Sequence, residues 1–136
     1  MSKHETPMTR WYWEQIGGTL IEEFPVVRHG KDCSGRWIDG VILPDGERRI
    51  ARVSEVSLKG QRVIAVQAKD RRLGMGLLGQ ALFSARLLRK FEPASIESVA
   101  LCRVVDRALA DLMCEFPEIK VVLCPKEICW VQPSPQ

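Results

Sequence analysis

Residues 62–69, RVIAVQAK, decide how this chain is read. Val63, Ile64, Ala65 and Val66 form a continuous apolar run, the pattern of a strand covered on both faces in an α/β sheet. The run ends on Gln67 and Lys69, two polar side chains that strand alternation places on one face. Charge is costly inside a sheet, so a strand that ends this way points to a terminus opening on a polar cleft. Residues 36–43, RWIDGVIL, repeat the anomaly, with Asp39 set among apolar neighbours. That strand stops at Pro44-Asp45-Gly46, where proline presets one dihedral and glycine tolerates positive φ.

Toward the N-terminus, residues 19–27 (TLIEEFPVV) read as a strand whose Pro25 demands an edge or a bulge. Residues 9–16 (TRWYWEQI) read as a helix with Thr9 as its cap, ended by Gly17-Gly18. A short strand is expected near residues 49–56. Toward the C-terminus, a basic loop (DRRLGMG) precedes a helix over residues 77–91, in which Leu78, Leu82, Ala85 and Leu88 recur at helical spacing. A strand over 98–105, a helix capped by Asp106 and a strand over 119–125 follow. The order α-β-β-β-α-β-α-β predicts a mixed central sheet with helices on both faces, and the last strand-helix-strand unit as a right-handed parallel crossover. One domain over residues 9–125 is expected, with a flexible N-terminus (1–8) and a C-terminal tail (126–136).

A chain of 136 residues with 46% hydrophobic and 27% charged residues suits one soluble domain with a real core. It has no apolar run near the ~20 residues of a membrane span and no signal-peptide core, which predicts a cytoplasmic protein without a membrane partner. A net charge of +3 is compatible with a polyanionic partner without demanding one. Five cysteines without a C-x-x-C pair support neither a disulfide framework nor a four-ligand zinc site, and Cys102 and Cys124 read as reduced core thiols.

Glu14, Asp39, Gln67 and Lys69 form the constellation with chemical potential. Mg²⁺ or Mn²⁺ takes oxygen ligands, which carboxylates and an amide oxygen supply, and a lysine ammonium can stabilise charge building on a phosphate. Singly, Asp39 reads as a strand-end acid beside Arg36 and Lys69 as a solvated terminus; the ordered set carries the reading. In that order, from Glu14 to Leu88, the chain resembles the PD-(D/E)XK nuclease superfamily, whose signature is a helical Glu, an Asp on a hairpin strand, and an acid-x-Lys on the next strand. The resemblance implies a restriction-endonuclease-like three-layer α/β/α sandwich, Glu14, Asp39 and Gln67 as metal ligands, and Lys69 as the catalytic lysine. Gln67 stands where the superfamily signature has an acid, and a neutral amide lowers cation affinity. Gln80 looks like the helix glutamine of exonuclease-like members, with Ser84 where those have a tyrosine.

Arg71 and Arg72, followed by Gly74 and Gly76, which let backbone approach a phosphate, are candidate phosphate contacts with Gln80; GMG is not a P-loop. Glu22 and Glu23 read as surface acids, His4 and His29 lack metal-ligand partners, and Trp11, Tyr12 and Trp13 read as core or interface aromatics. Arg86, Arg89 and Lys90 form a solvated face or a path for phosphates. Cys129, Trp130 and Val131 lie past the last core strand and could dock on a partner. These readings predict a metal-dependent DNA nuclease, with a non-catalytic module that binds nucleic acid or assembles a larger complex as the alternative. A homodimer would suit a small nuclease acting on two strands.

Overall fold

The computed structural model describes residues 5–128. The chain runs α1 (Glu5–Ile16), β1 (Thr19–Val27), β2 (Arg36–Leu43), β3 (Arg49–Ile50), β4 (Arg62–Ala68), α2 (Met75–Leu87), β5 (Ser95–Cys102), α3 (Arg107–Leu112) and β6 (Ile119–Leu123). Single 3₁₀ turns occupy Val53–Glu55, Leu88–Phe91 and Met113–Glu115. One mixed sheet has the order β3-β1-β2-β4-β5-β6. β1 and β2, and β2 and β4, pair antiparallel, while β4, β5 and β6 are parallel.

β4 sits inside the sheet, and its alternate residues feed opposite cores. Ile64 and Val66 pack with Met8 and Tyr12 of α1, Leu20 and Ile42. Val63 and Ala65 pack with Ile21, Val41, Leu43 and Leu88. A third cluster joins Leu77 and Ala81 of α2 to Ala100, Cys102 and Ile119, with Leu109 of α3 against it. α1 therefore covers one face and α2 with α3 the other, the helix-sheet-helix layering expected of a run with no alternating polarity.

The expected order is corrected at one strand. The sheet has six strands where α-β-β-β-α-β-α-β holds five, and the short strand expected near residues 49–56 is present as β3 but only two residues long, parallel to β1 at Thr19 and Leu20. A longer strand cannot form because the Arg52 N–H turns to the Glu55 carboxylate (2.8 Å), which closes a 3₁₀ turn. The long helix likewise divides: α2 ends at Leu87, one 3₁₀ turn follows, and Glu92 at φ +58° turns the chain toward Pro93. The fifth strand begins at Ser95 and stops at Cys102, earlier at both ends than the apolar pattern suggests.

The first helix opens at Glu5, so residues 5–8 are not a flexible leader. Met8 is fully buried, and Thr9 is an interior residue whose hydroxyl donates to the Glu5 carbonyl (3.1 Å). Pro7 is compatible because it lies in the first turn, where N–H groups have no intrahelical acceptor. Gly18 (φ +77°) ends the turn after α1, and a Cβ there would collide with the Leu43 carbonyl. Pro25 stands beyond the stretch of β1 that β3 covers, next to a register shift between Pro25 and Val27, so it combines an open edge with a bulge. Asp106 caps α3 as expected, accepting from the Leu109 N–H at 3.2 Å.

The tail does not begin at residue 126: Ile128 packs on the α1-side core, and its carbonyl accepts from Arg103 (2.6 Å). His4, Cys129, Trp130 and Val131 lie outside the described residues. Cys102 and Cys124 are buried free thiols, both with burial pushing the thiol pKa up. Among the described residues no helix is long and apolar enough to cross a membrane.

Candidate functional site

β2 and β4 pair at Ile42↔Ile64, Val41↔Ala65 and Gly40↔Val66, and their ladder ends there. β4 continues alongside β5 through Gln67↔Ala100 and Ala68↔Leu101, and the Lys69 N–H donates to the Leu101 carbonyl (3.0 Å). The two strands thus fork after Gly40, leaving one edge of β4 without a ladder partner. Asp39 fills the fork: its Oδ2 accepts from the Ala68 N–H at 2.8 Å, replacing the lost strand bond.

The β1-β2 hairpin is distorted at the same level. Rungs Glu22↔Gly40 and Phe24↔Ile38 flank Glu23 and Asp39, and Glu23 has φ +50°. Ile21 and Phe24, three residues apart, share one core, as do Ile38 and Val41, so side-chain alternation breaks in both strands. Glu22 falls on the α1 side and ion-pairs with Arg10 at 2.8 Å, a structural use that removes it as a rival ligand.

Burial raises the pKa of Asp39. The Ala68 N–H opposes that shift, the Glu5 charge adds to it, and the Lys69 charge lowers it. Glu5 is therefore the helix carboxylate that Asp39 feels. It lies one turn before Thr9, whose methyl is the nearest atom to where a side chain on Gly40 would stand.

Glu14 is not brought to this site. It lies five residues past Thr9, about 7.5 Å farther along the helix and about 140° around it. It is exposed, and its carbonyl accepts from Arg48 (3.4 Å) at the opposite end of the helix. The signal that separates the two acids is the buried stripe Met8, Thr9 and Tyr12, which includes position 5 and excludes position 14.

Gln67 is 4% exposed, and its Nε2 donates to Ser84 Oγ on α2 at 2.7 Å, so the amide is already tied across to the helix. Gln67 and Lys69 do share the α2 face. Lys69, Arg71, Arg72, Gly74, Gly76 and Gln80 line a groove of about 340 Å³ at the start of α2. The loop that carries the arginines is fixed: Arg103 N–H donates to the Arg71 carbonyl (2.9 Å), Leu73 N–H to the Val104 carbonyl (2.8 Å), and Arg72 to the Val105 carbonyl (3.1 Å).

Gly76 and Gln80 also line a second cavity of about 480 Å³, which reaches Gln67 and Ser84 and is flanked by Arg36, Trp37 and Phe83. No acidic residue lines either cavity among the described residues. The sequence reading missed Trp37 and Phe83 here and gave Ser84 no partner.

Among the described residues no three His, Cys, Asp or Glu side chains gather as a metal cluster. Asp39 and Glu5 alone make a thin donor set, because the Gln67 amide turns to Ser84 on the α2 side. It does not suit an all-protein cage; it fits a hard cation held through one or two carboxylates and completed by water and phosphate. Burial is the main cause of the raised Asp39 pKa and the Glu5 charge adds to it, and a cation beside the carboxylate would offset both. No protein-family model, curated protein or solved structure matches the chain.

Proposed function

We propose that this chain binds the phosphate backbone of DNA in the groove of Lys69, Arg71 and Arg72 and hydrolyses phosphodiester bonds with a divalent cation held at Asp39. The carrying observation is the basic groove of Lys69, Arg71 and Arg72, lined by no acid among the described residues, beside the β2/β4 fork where the Asp39 carboxylate accepts from the Ala68 N–H and feels the Lys69 charge. The antiparallel run β1-β2-β4 followed by the parallel β5, with helices on both faces, supports a restriction-endonuclease-like arrangement. Asp39 and Glu5, the latter in place of Glu14, would hold Mg²⁺ or Mn²⁺, with water and phosphate oxygens completing the shell. When bound, the cation lowers the pKa of a water and polarises the phosphate. Lys69 supplies a positive charge for the phosphate oxygens, and the arginines fix the backbone through bidentate bonds.

A second reading has its own observation. Gln67 is engaged with Ser84 and Asp39 with Ala68, so the fork serves the fold, and the groove alone would make a non-catalytic DNA-binding module. Cleavage of linear, circular and branched DNA with Mg²⁺ or Mn²⁺ separates them. The nuclease reading expects cleavage by the wild type and its loss, with the fold intact, in both Asp39→Asn and Lys69→Ala. DNA binding without cleavage, and a melting temperature indifferent to Mn²⁺, would establish the binding module instead.

A further inference from the structure

We infer that the cavity between Trp37 and Phe83 receives an unstacked base, so that the strand bound in the basic groove is single-stranded DNA at this point. The inference rests on the groove's proposed role in DNA binding.

Trp37, Phe83 and Met75 are 60%, 67% and 78% exposed, and all three line the 480 Å³ cavity. Large apolar side chains gathered at one solvent-facing hollow mark a binding surface more often than chance exposure. The indole is held in place: a Cβ on Gly35 would stand 2.8 Å from its ring, so the ring rests against bare backbone. A planar ligand stacks on such a surface regardless of base identity, because every base presents a π-face.

The helix forming the floor carries a second, independent mark. Gly76 and Gly79 lie within α2, where glycine weakens a helix relative to alanine. A Cβ at either position meets nothing within 4 Å, so packing inside the protein does not require these glycines. Both line the cavity, where their absent side chains leave room for a ligand close against the helix. Gln67, Gln80 and Ser84 provide hydrogen-bonding groups at the same hollow, as a base edge needs.

Charge selects the occupant. The cavity shares Gly76 and Gln80 with the groove beside it, Arg36 stands at its side, and no acid lines either one among the described residues. Phosphates following Lys69, Arg71 and Arg72 would leave a neighbouring base to turn into the cavity. A base inside duplex DNA is stacked and out of reach of the indole. A second copy of this chain is disfavoured, because an isologous contact here would bring Arg36 and the groove cations of two copies together.

The test is anisotropy of a short labelled single strand and of its blunt duplex, without divalent cation, beside sedimentation of the protein. The single strand should bind more tightly, and Trp37→Ala and Phe83→Ala should each weaken it about tenfold while changing duplex binding little. Gly79→Ala should raise the melting temperature by about 3 °C yet weaken single-strand binding, opposite signs that a structural role cannot give. Unchanged single-strand affinity in both aromatic variants overturns the base pocket, as does a dimer that Trp37→Ala dissociates without effect on binding. If Arg71→Glu abolishes binding of both DNA forms while the aromatic variants alter neither, the groove reading stands and the pocket falls. A wild type that binds neither form sinks both.

Discussion

Three cations line the groove, Lys69, Arg71 and Arg72, and if the groove binds DNA as proposed their number sets the salt dependence of that binding. Each phosphate that a cation neutralises releases counterions, with a slope of log K on log salt of about −0.7 per contact for a single strand. Three contacts give a slope of about −2.1, so raising salt from about 50 to about 200 mM weakens binding about 20-fold. Arg71→Gln removes one contact, leaving a slope of about −1.4 and a loss of about 7-fold over the same range. Arg71 is the informative position because its carbonyl, not its guanidinium, takes the Arg103 N–H, so the loop keeps its tie. Arg72 is less clean, since its guanidinium also holds the Val105 carbonyl. Anisotropy titrations at four or more salt concentrations measure both slopes. A wild-type slope near zero, or one that Arg71→Gln leaves unchanged, refutes the groove as the phosphate path.

Two further expectations concern the fork and its support. Burial and the Glu5 charge raise the Asp39 pKa, so the folded protein binds that proton more tightly than the unfolded chain. The resulting stability is complete below the ordinary carboxylate range and is lost as pH rises through the raised value. Asp39→Asn, which keeps an oxygen for the Ala68 N–H, should therefore melt higher than the wild type at about pH 7, with the gap closing near pH 3; a gap that does not vary with pH refutes this. Ser84→Ala leaves the buried Gln67 amide without its hydroxyl partner and should cost about 1–3 kcal/mol by urea unfolding, most of it regained when Gln67→Leu is added. A Ser84→Ala variant as stable as the wild type would show that this bond contributes little.

The sheet was legible because its strands announce themselves in two ways. The unbroken run 63–66, short and rich in β-branched residues, has the signature of a doubly covered strand, and the turn tripeptide at Pro44 fixed the end of β2. Helix boundaries were less legible: Thr9 read as the cap, whereas the helix opens at Glu5 and Pro7 sits in its first turn, where a proline loses no intrahelical bond. That error propagated to the site, because a helix read from residue 9 leaves Glu14 as its one acid. With the helix opening at Glu5, the buried stripe of Met8, Thr9 and Tyr12 selects Glu5. β3 was illegible in extent since its register depends on β1, far away in sequence, while local capping at Arg52 ends it. Asp39, Gln67 and Lys69 were recognisable as polar intrusions in apolar strands. Their bonding was not, because a strand fork and a helix hydroxyl seventeen residues away leave no periodic trace. Trp37 and Phe83 looked like ordinary strand and helix hydrophobics until the fold set them at one hollow.

Arg103 gives the basic loop a dependence on a distant part of the chain. Its guanidinium meets Asp70 (2.6 Å), Cys124 (3.4 Å), and the carbonyls of Pro125 and Ile128, while its N–H holds the Arg71 carbonyl. One side chain thus works as a hinge pin between the segment after β6 and the loop that presents the groove cations. A lysine could not replace it, having three donors on a single nitrogen where the planar fork spreads five. A displacement of Pro125 or Ile128 would reach Asp70 and Arg71 through this one side chain, which makes the turn after β6 a handle on the proposed DNA groove.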